Sequence, residues 1–209
     1  MSQYKVKLLV LGPVSTDCYI LYREGSKRAI LIDPADTAGK IVDTLTELEL
    51  EPEAVLLTHG HFDHIMAVTE LKDRYGMKVY AHEEEAEIAE NPGLNLSNQF
   101  GLSYALKVDE TVREGEILEI AGFSLKVLHT PGHTKGSVCY YMEEDKLLFS
   151  GDTLFAGSVG RSDFPTGSGA VLIRSIQEKL ATLPEDVQVF PGHGEQTNIG
   201  YEKTHNPFI

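Results

Sequence analysis

Along the first third of the chain, short runs alternate apolar and polar side chains or are apolar throughout. Tyr4-Lys5-Val6-Lys7-Leu8 alternates and continues into Leu9-Val10-Leu11; Cys18 to Tyr22 and Ala29 to Ile32 follow, separated by Gly, Pro, Ser and Asp. Runs of this kind, bounded by turn formers, predict strands. From Ala38 the period changes: Ile41, Val42, Leu45 and Leu48 share one face at helical spacing, with acids opposite, which predicts an amphipathic helix. Ala54 to Leu57 reads as a buried strand, and Ile65, Val68, Leu71 and Tyr75 mark a second helix closed by Gly76. Met77 to Ala81 returns to strand, Glu83 to Glu90 to a short acidic helix, and 91–103, rich in Asn and Gly without periodicity, to a loop. Strands then recur at Ile117 to Ile120, Phe123 to Leu128, Val138 to Met142, Lys146 to Phe149 and Val187 to Phe190, with one helix whose Ile173, Ile176 and Leu180 point inward. Strands and helices mix twice over, so the expectation is one α/β domain over 1–209 built from two similar halves.

Composition narrows the partners. Acidic residues outnumber basic ones 32 to 18, a formal charge of −14, and such a surface repels phosphate backbones and anionic lipid. Nucleic acid and membrane are therefore not expected as partners; a small molecule is. No run approaches the roughly 18 apolar residues of a membrane span, and the start, Met1-Ser2-Gln3-Tyr4-Lys5, leads into strand-like sequence without the apolar core of a signal peptide. Cys18 and Cys139 both sit in strand-like runs and form no CxxC pair, which points to reduced, buried thiols and a cytoplasmic protein.

The chemistry gathers at Thr58-His59-Gly60-His61-Phe62-Asp63-His64, directly after the apolar run 54–57. In extended backbone alternate side chains share a face, so His59 and His61 converge, with Asp63 near the same side, while His64 points elsewhere and starts a helix. Four potential ligands divided between two directions suit two adjacent metals better than one. Pro131-Gly132-His133 and Pro191-Gly192-His193 each place a His just after a strand, where Gly lets the backbone approach a site closely. Leu147 to Phe149 leads through Ser150-Gly151 to Asp152. Asp33 stands in a comparable place after Ile30-Leu31-Ile32 and is expected to be structural.

In this order and spacing the residues resemble the metallo-β-lactamase superfamily over essentially the whole chain. The resemblance implies a four-layer αββα sandwich with the metal site along one edge of the two sheets. It implies that His59, His61 and His133 hold one metal, that Asp63, His64 and His193 hold a second, and that Asp152 bridges them. Asp152 is similar to the bridging Asp of the hydrolase branches and argues against the zinc β-lactamases; His61 argues against flavodiiron proteins, which carry Glu there. Gly160-Arg161-Ser162-Asp163-Phe164 and the ending Pro191-Gly192-His193-Gly194 … Asn206-Pro207-Phe208 look like the glyoxalase II-type hydrolases, particularly the short bacterial ones, although persulfide dioxygenases are similar at 160–164 too. Met66 departs from the Gly of many relatives. Full-length glyoxalase II supplies basic residues for glutathione from a helical domain after the last ligand; here 194–209 follow, with the one lysine Lys203, so the usual glutathione recognition is not expected.

Imidazoles and carboxylates without thiolate suit two divalent ions, Zn²⁺ first, with Fe or Mn as alternatives. Ions about 3.5–4 Å apart hold a bridging hydroxide near neutral pH, and the expected reaction is attack on a thioester such as S-lactoylglutathione, or an ester. Asp63 is expected to orient the nucleophile or take its proton. Lys135 and Arg161, beside His133 and Asp152, are the candidate substrate-binding cations. His129 is expected to pack near the site, His82 to be solvated, His205 to line the cleft, the acids 83–87 to form a solvated face, at most one of Tyr140 and Tyr141 to face the site, and 91–103 to flank the cleft. The competing readings are a mononuclear Fe(II) persulfide dioxygenase using His59, His133 and Asp152, and a non-catalytic metal-binding module.

Overall fold

The computed structural model describes residues 3–209; the Met1-Ser2 start lies outside the described residues. The first half of the chain forms a six-stranded sheet whose spatial order follows the sequence: β1 (Tyr4–Leu11), β2 (Thr16–Arg23), β3 (Arg28–Ile32), β4 (Glu51–Leu56), β5 (Lys78–His82) and β6 (Glu110–Val112). The first three strands form an antiparallel meander, and β3 to β6 run parallel. Parallel neighbours need crossovers. These carry α1 (Ala38–Glu47), α2 (Phe62–Ile65), α3 (Val68–Tyr75) and α4 (Ala86–Glu90). The second half forms another six-stranded sheet from β7 (Ile117–Ile120), β8 (Phe123–His129), β9 (Val138–Met142) and β10 (Leu147–Gly151), followed by a ribbon of β11 (Leu154–Phe155) and β12 (Ser158–Val159). After α5 (Gly169–Ser175), which runs on as a π-helical turn to Leu180, β13 (Gln188–Pro191) and β14 (Thr197–Asn198) complete that sheet, and α6 (Ile199–His205) ends the described elements.

Three apolar interfaces account for four layers. Ile20, Leu31 and Val55 face Ile41, Leu45 and Leu71 of α1 and α3. On the opposite face, Leu21, Ile30 and Leu56 meet Phe123, Tyr140 and Phe149 of the second sheet. Cys139, Leu148 and Val189 then pack beneath Leu172, Ile176 and Leu180 of the α5 layer. Both sheets are covered on both faces, so β3, β9 and β10 read as continuous apolar runs rather than alternating ones. The αββα architecture is thus the expected one. No helix among the described residues is long and apolar enough to cross a membrane.

Differences from the sequence reading are local. The helix expected from Ile65 to Tyr75 is two pieces, interrupted at Met66-Ala67, and Gly76 closes the second with φ 68°. Leu172 rather than Ile173 is the fully buried residue of α5, and Leu48 is exposed because α1 stops at Glu47. The segment 91–103 holds a single 3-10 turn at Ser97–Phe100. Strands as short as β6, β11, β12 and β14 left no periodic trace.

A side-chain hydrogen bond helps tie the second sheet to the motif strand. The buried Tyr140 hydroxyl donates to the Leu57 carbonyl at 2.9 Å, one residue before Thr58. Tyr140→Phe leaves that carbonyl unpaired and is expected to cost about 1–2 kcal/mol, read as a lower urea midpoint of the metal-free protein. An unchanged midpoint would show that the bond contributes nothing.

Candidate metal centre

The chain end of β4 is clamped before it delivers its ligands. Thr58 donates to the Asp33 carboxylate twice, from its backbone N–H at 2.8 Å and its hydroxyl at 2.6 Å, while its carbonyl accepts from Val138 of the second sheet. His59 and His61 then fall on one side, rings 4.8 Å apart. His61 keeps extended backbone (φ −65°, ψ 147°) and the chain turns into α2 at Phe62, which swings His64 toward Asp33 and Asp63. The two Pro-Gly-His turns need their glycines. Gly132 has φ 137° and a Cβ there would run into the Leu172 backbone. At Gly192 a Cβ would overlap the Asp152 carboxylate and stand 2.7 Å from the His64 ring.

All seven sequence-predicted residues meet at one edge of the two sheets, in two groups. In the first, His133 Nε2 lies 2.9 Å from His61 Nδ1 and 3.2 Å from His59 Nε2. In the second, Asp63 Oδ2 lies 3.3 Å from His193 Nε2 and 3.5 Å from His64 Nε2. Asp152 stands between them: its Oδ2 is 3.6 Å from both His133 Nε2 and His193 Nε2, and its Oδ1 is 3.4 Å from His64 Nε2. Within each group one donor atom from every residue falls within 4.8 Å of the others.

Outer hydrogen bonds set the tautomers. His133 Nδ1–H donates to the Arg161 carbonyl at 2.6 Å, His64 Nδ1–H to Asp33 at 3.0 Å, His193 Nδ1–H to the Ser15 carbonyl at 3.4 Å, and His59 Nδ1–H to the Thr58 hydroxyl at 3.2 Å. A backbone carbonyl or carboxylate behind the ring is the usual support of a metal-binding imidazole. It leaves lone pairs on His59 Nε2 and His133 Nε2 facing each other. Buried His61 Nε2, His64 Nε2 and Asp152 Oδ1 make no hydrogen bond. Burial and the neighbouring imidazoles push His59 well below the ordinary histidine range and His61 down to about 3, and burial lowers His133. Burial opposes the charges on Asp63 and Asp152 but the histidines outweigh it, holding Asp63 at about 2 and Asp152 lower than ordinary. Neutral imidazoles and anionic carboxylates are the forms that bind a cation, so His59, His61 and His133 fit divalent metal as they stand. At the second group burial opposes the charge on His64 and His193, but Asp63 and Asp152 outweigh it and raise both, so an ion there would displace protons from these rings. A further grouping of Asp33, His59 and His64 is better explained as a support network, because Asp33 already accepts from Thr58 and His64.

Four supporting residues went unseen in the sequence or were misread. Asp33 is not a distant structural acid but the carboxylate behind His64. Thr16 Oγ1 donates to Asp63 Oδ2 at 2.9 Å, and neighbouring Asp17 is buried, its pKa pushed up to about 6 by that burial. Glu85, expected on a solvated face, is fully buried and accepts from Gly60 N–H and Thr134 Oγ1, both at 2.8 Å, so it joins the His59–His61 turn to the His133 turn. The only sequence signal for Asp33 was its strand-end position; Thr16, Asp17 and Glu85 gave none.

The centre opens into a cavity of about 550 Å³ walled by Val14, Phe62, Leu96, Phe100, Phe155 and Phe164. Leu96, Gln99 and Phe100 belong to the 91–103 segment, which flanks the cleft as expected. Arg161 lines it, bound to Asp163 at 3.0 and 2.9 Å and lying 4.1 Å over the Phe164 ring. Lys135 does not line it and pairs with Glu87 at 2.5 Å. His82 is buried, not solvated, and stacks on His129 at 4.0 Å, while His129 bonds to the Lys135 carbonyl. His205 stacks on Tyr201 away from the cavity, and Tyr140 and Tyr141 face the inter-sheet and outer layers.

The sequence profile of the family described as the Metallo-beta-lactamase superfamily matches residues 11–193. The Haemophilus influenzae protein named Hydroxyacylglutathione hydrolase GloC is 36% identical over 207 residues, covering 98% of this chain and 97% of its own. Among solved structures, BLEG-1 B3 metallo-beta-lactamase superposes with a TM-score of 0.93 at 41% identity, covering 98% of this chain and 99% of that one. TTHA1623 in a di-iron-bound form gives 0.87 at 38%, covering 98% and 100%.

Burial raises Glu85 from 4.5 to about 7, against the hydrogen bonds from Gly60 and Thr134 that favour its charge. A carboxyl whose folded pKa is raised stabilises the fold below its unfolded value and loses that contribution as pH climbs through the folded one. Relative to Glu85→Gln, the metal-free wild type is therefore expected to lose on the order of 2–3 kcal/mol between pH 5 and 8 in urea unfolding. A difference that does not change with pH would contradict the raised pKa.

Proposed function

Since the chain belongs to the metallo-beta-lactamase superfamily, we propose that it is a dinuclear hydrolase of the glyoxalase II type, cleaving a thioester or ester of a small molecule. One observation carries it: the Asp152 carboxylate stands 3.6 Å from a histidine of each group, from where it would serve an ion in either. His59, His61 and His133 would hold one ion and Asp63, His64 and His193 the other. Bound divalent ions supply Lewis acidity that brings the pKa of water to about 7 and polarises a carbonyl.

The chain's own residues do the rest. Asp63, held by Thr16 and kept anionic, would accept a hydrogen bond from the attacking water and so aim it; at a pKa of about 2 it is an orienter more than a base. A thiolate leaves without a strong general acid, and none is needed from the chain. Zinc is the proposed metal, with iron the alternative suggested by the di-iron relative. The reaction belongs in the cytoplasm on the support of two buried, unpaired thiols.

Elemental analysis of protein purified without added metal is expected to approach two ions per chain, and Asp152→Asn, folded by circular dichroism, to lose the second ion and about a thousandfold in kcat. One iron that takes up no partner at excess metal would favour the mononuclear oxygenase, and near-normal kcat in the variant would remove Asp152 from the site.

The name of the Haemophilus relative makes S-lactoylglutathione the first substrate to assay, and BLEG-1 adds a β-lactam to the panel. Cleavage of the glutathione thioester is expected with a KM at or above about 1 mM, the upper end of the usual range, because the cleft walls are apolar and Arg161 and Lys135 are already paired with acids. A micromolar KM would show that glutathione has a dedicated site.

A further inference from the structure

The Phe62 and Phe100 rings, 4.5 Å apart at 35°, form a partition. On one side lies the cavity over the metal centre. On the other is a second cavity of about 240 Å³, bounded by Pro13, Met66 and Leu102 and by the carboxylate of Asp36. Asp63, Phe62 and Phe100 thus border both cavities, the larger arm and the smaller.

The smaller arm has a definite chemistry. Its walls are apolar, and Phe100 and Leu102 at its mouth are 55% and 39% exposed, apolar surface of the kind that marks a ligand groove. No basic residue lines it, and apart from Asp63 its one charge is Asp36. Asp36 Oδ1 accepts from the Thr37 N–H, whereas Oδ2 has no hydrogen-bond partner and lies over Gly12, where a Cβ would stand 3.3 Å from it. Gly12, in left-handed conformation (φ 71°), keeps that oxygen uncovered. Half-buried Met66, placed in the break between α2 and α3, closes the arm.

We propose that this arm is a subsite for one half of the substrate, an apolar group ending in an ammonium that Asp36 receives, with Met66 setting its length. The assignment rests on the hydrolase reading for the reaction but not for the binding. It gives the substrate class as a neutral-bodied thioester or ester with a protonated or quaternary amine.

The test uses two thioethers that cannot be hydrolysed, each with a phenethyl group on one side of sulfur and a two-carbon chain on the other, ending in trimethylammonium or in acetamide. By calorimetry on zinc-loaded protein, the trimethylammonium compound is expected to bind about fivefold tighter, the size of a partly shielded ion pair. Asp36→Asn should bring the two to parity by weakening only the cation, and Met66→Trp should weaken both about tenfold or more by filling the arm. Equal affinities in the wild type, equal loss in Asp36→Asn, or no binding of either compound would overturn the subsite. Hydrolysis of the matching phenylacetyl thioesters is scored separately: failure to cleave any of them counts against the hydrolase and leaves the binding order to judge the subsite.

Discussion

Lone pairs on His59 Nε2 and His133 Nε2 face each other at 3.2 Å in a place closed to solvent. The hydrogen bonds behind each ring, to the Thr58 hydroxyl and the Arg161 carbonyl, keep their N–H groups pointing away from one another. Repulsion of this kind is tolerated only where a cation lies between the donors or where the surrounding structure overdetermines the geometry. Here the second holds, because both rings are buried and their clamps are anchored in separate elements, and a bound ion would supply the first by relieving the repulsion between the two donors.

Such preorganisation explains the division of labour between the two sheets. Each sheet contributes its ligands from the ends of its strands, and neither alone holds a complete group. The first sheet brings His59, His61, Asp63 and His64; the second brings His133, Asp152 and His193. Beyond the apolar interface between the sheets, polar bonds join them at the shared edge: Tyr140 to Leu57, Val138 to Thr58, Asp17 to Gly192. Glu85 acts in the same sense from outside, gripping the turn between two ligands of one sheet and the turn after a ligand of the other. Registry of the two halves is therefore fixed by hydrogen bonds whose direction matters, where apolar packing between the sheets would allow some sliding.

Legibility in the sequence followed the physics of each feature. His59, His61, Asp63 and His64 were readable because a strand end has a strict period of two and a turn into a helix redirects the next side chain. His133 and His193 were readable because glycine must precede a side chain where the backbone passes within contact of another element, as Gly132 and Gly192 do. Asp33 was seen but misjudged: its partners Thr58 and His64 are brought to it by strand pairing of β3 with β4, which a linear pattern does not display. Glu85 was misread since a run of acids looks like a solvated helix face; the helix begins only at Ala86, and the turn before it aims this one carboxylate inward. His82 and His129 likewise come together only through tertiary stacking.

Charge acts on two length scales in this molecule. At long range the chain carries −14, and that field favours approach by cationic over anionic molecules, though salt screens it beyond about 8–10 Å. Within the cleft the balance is different. Asp63 and Asp152 would offset only about half of the charge of two divalent ions held as proposed, and the floor would then attract a nucleophilic anion and a carbonyl oxygen. The walls between these regimes are aromatic, and the basic residue that reaches them, Arg161, is already spoken for by Asp163 and by the face of Phe164. An anion entering as part of a substrate gains at the floor but loses hydration along the walls without a free cation to compensate. On the proposed reading, discrimination would lie with the walls and the smaller arm, while the metal floor, common to every substrate that reaches it, would set the chemistry.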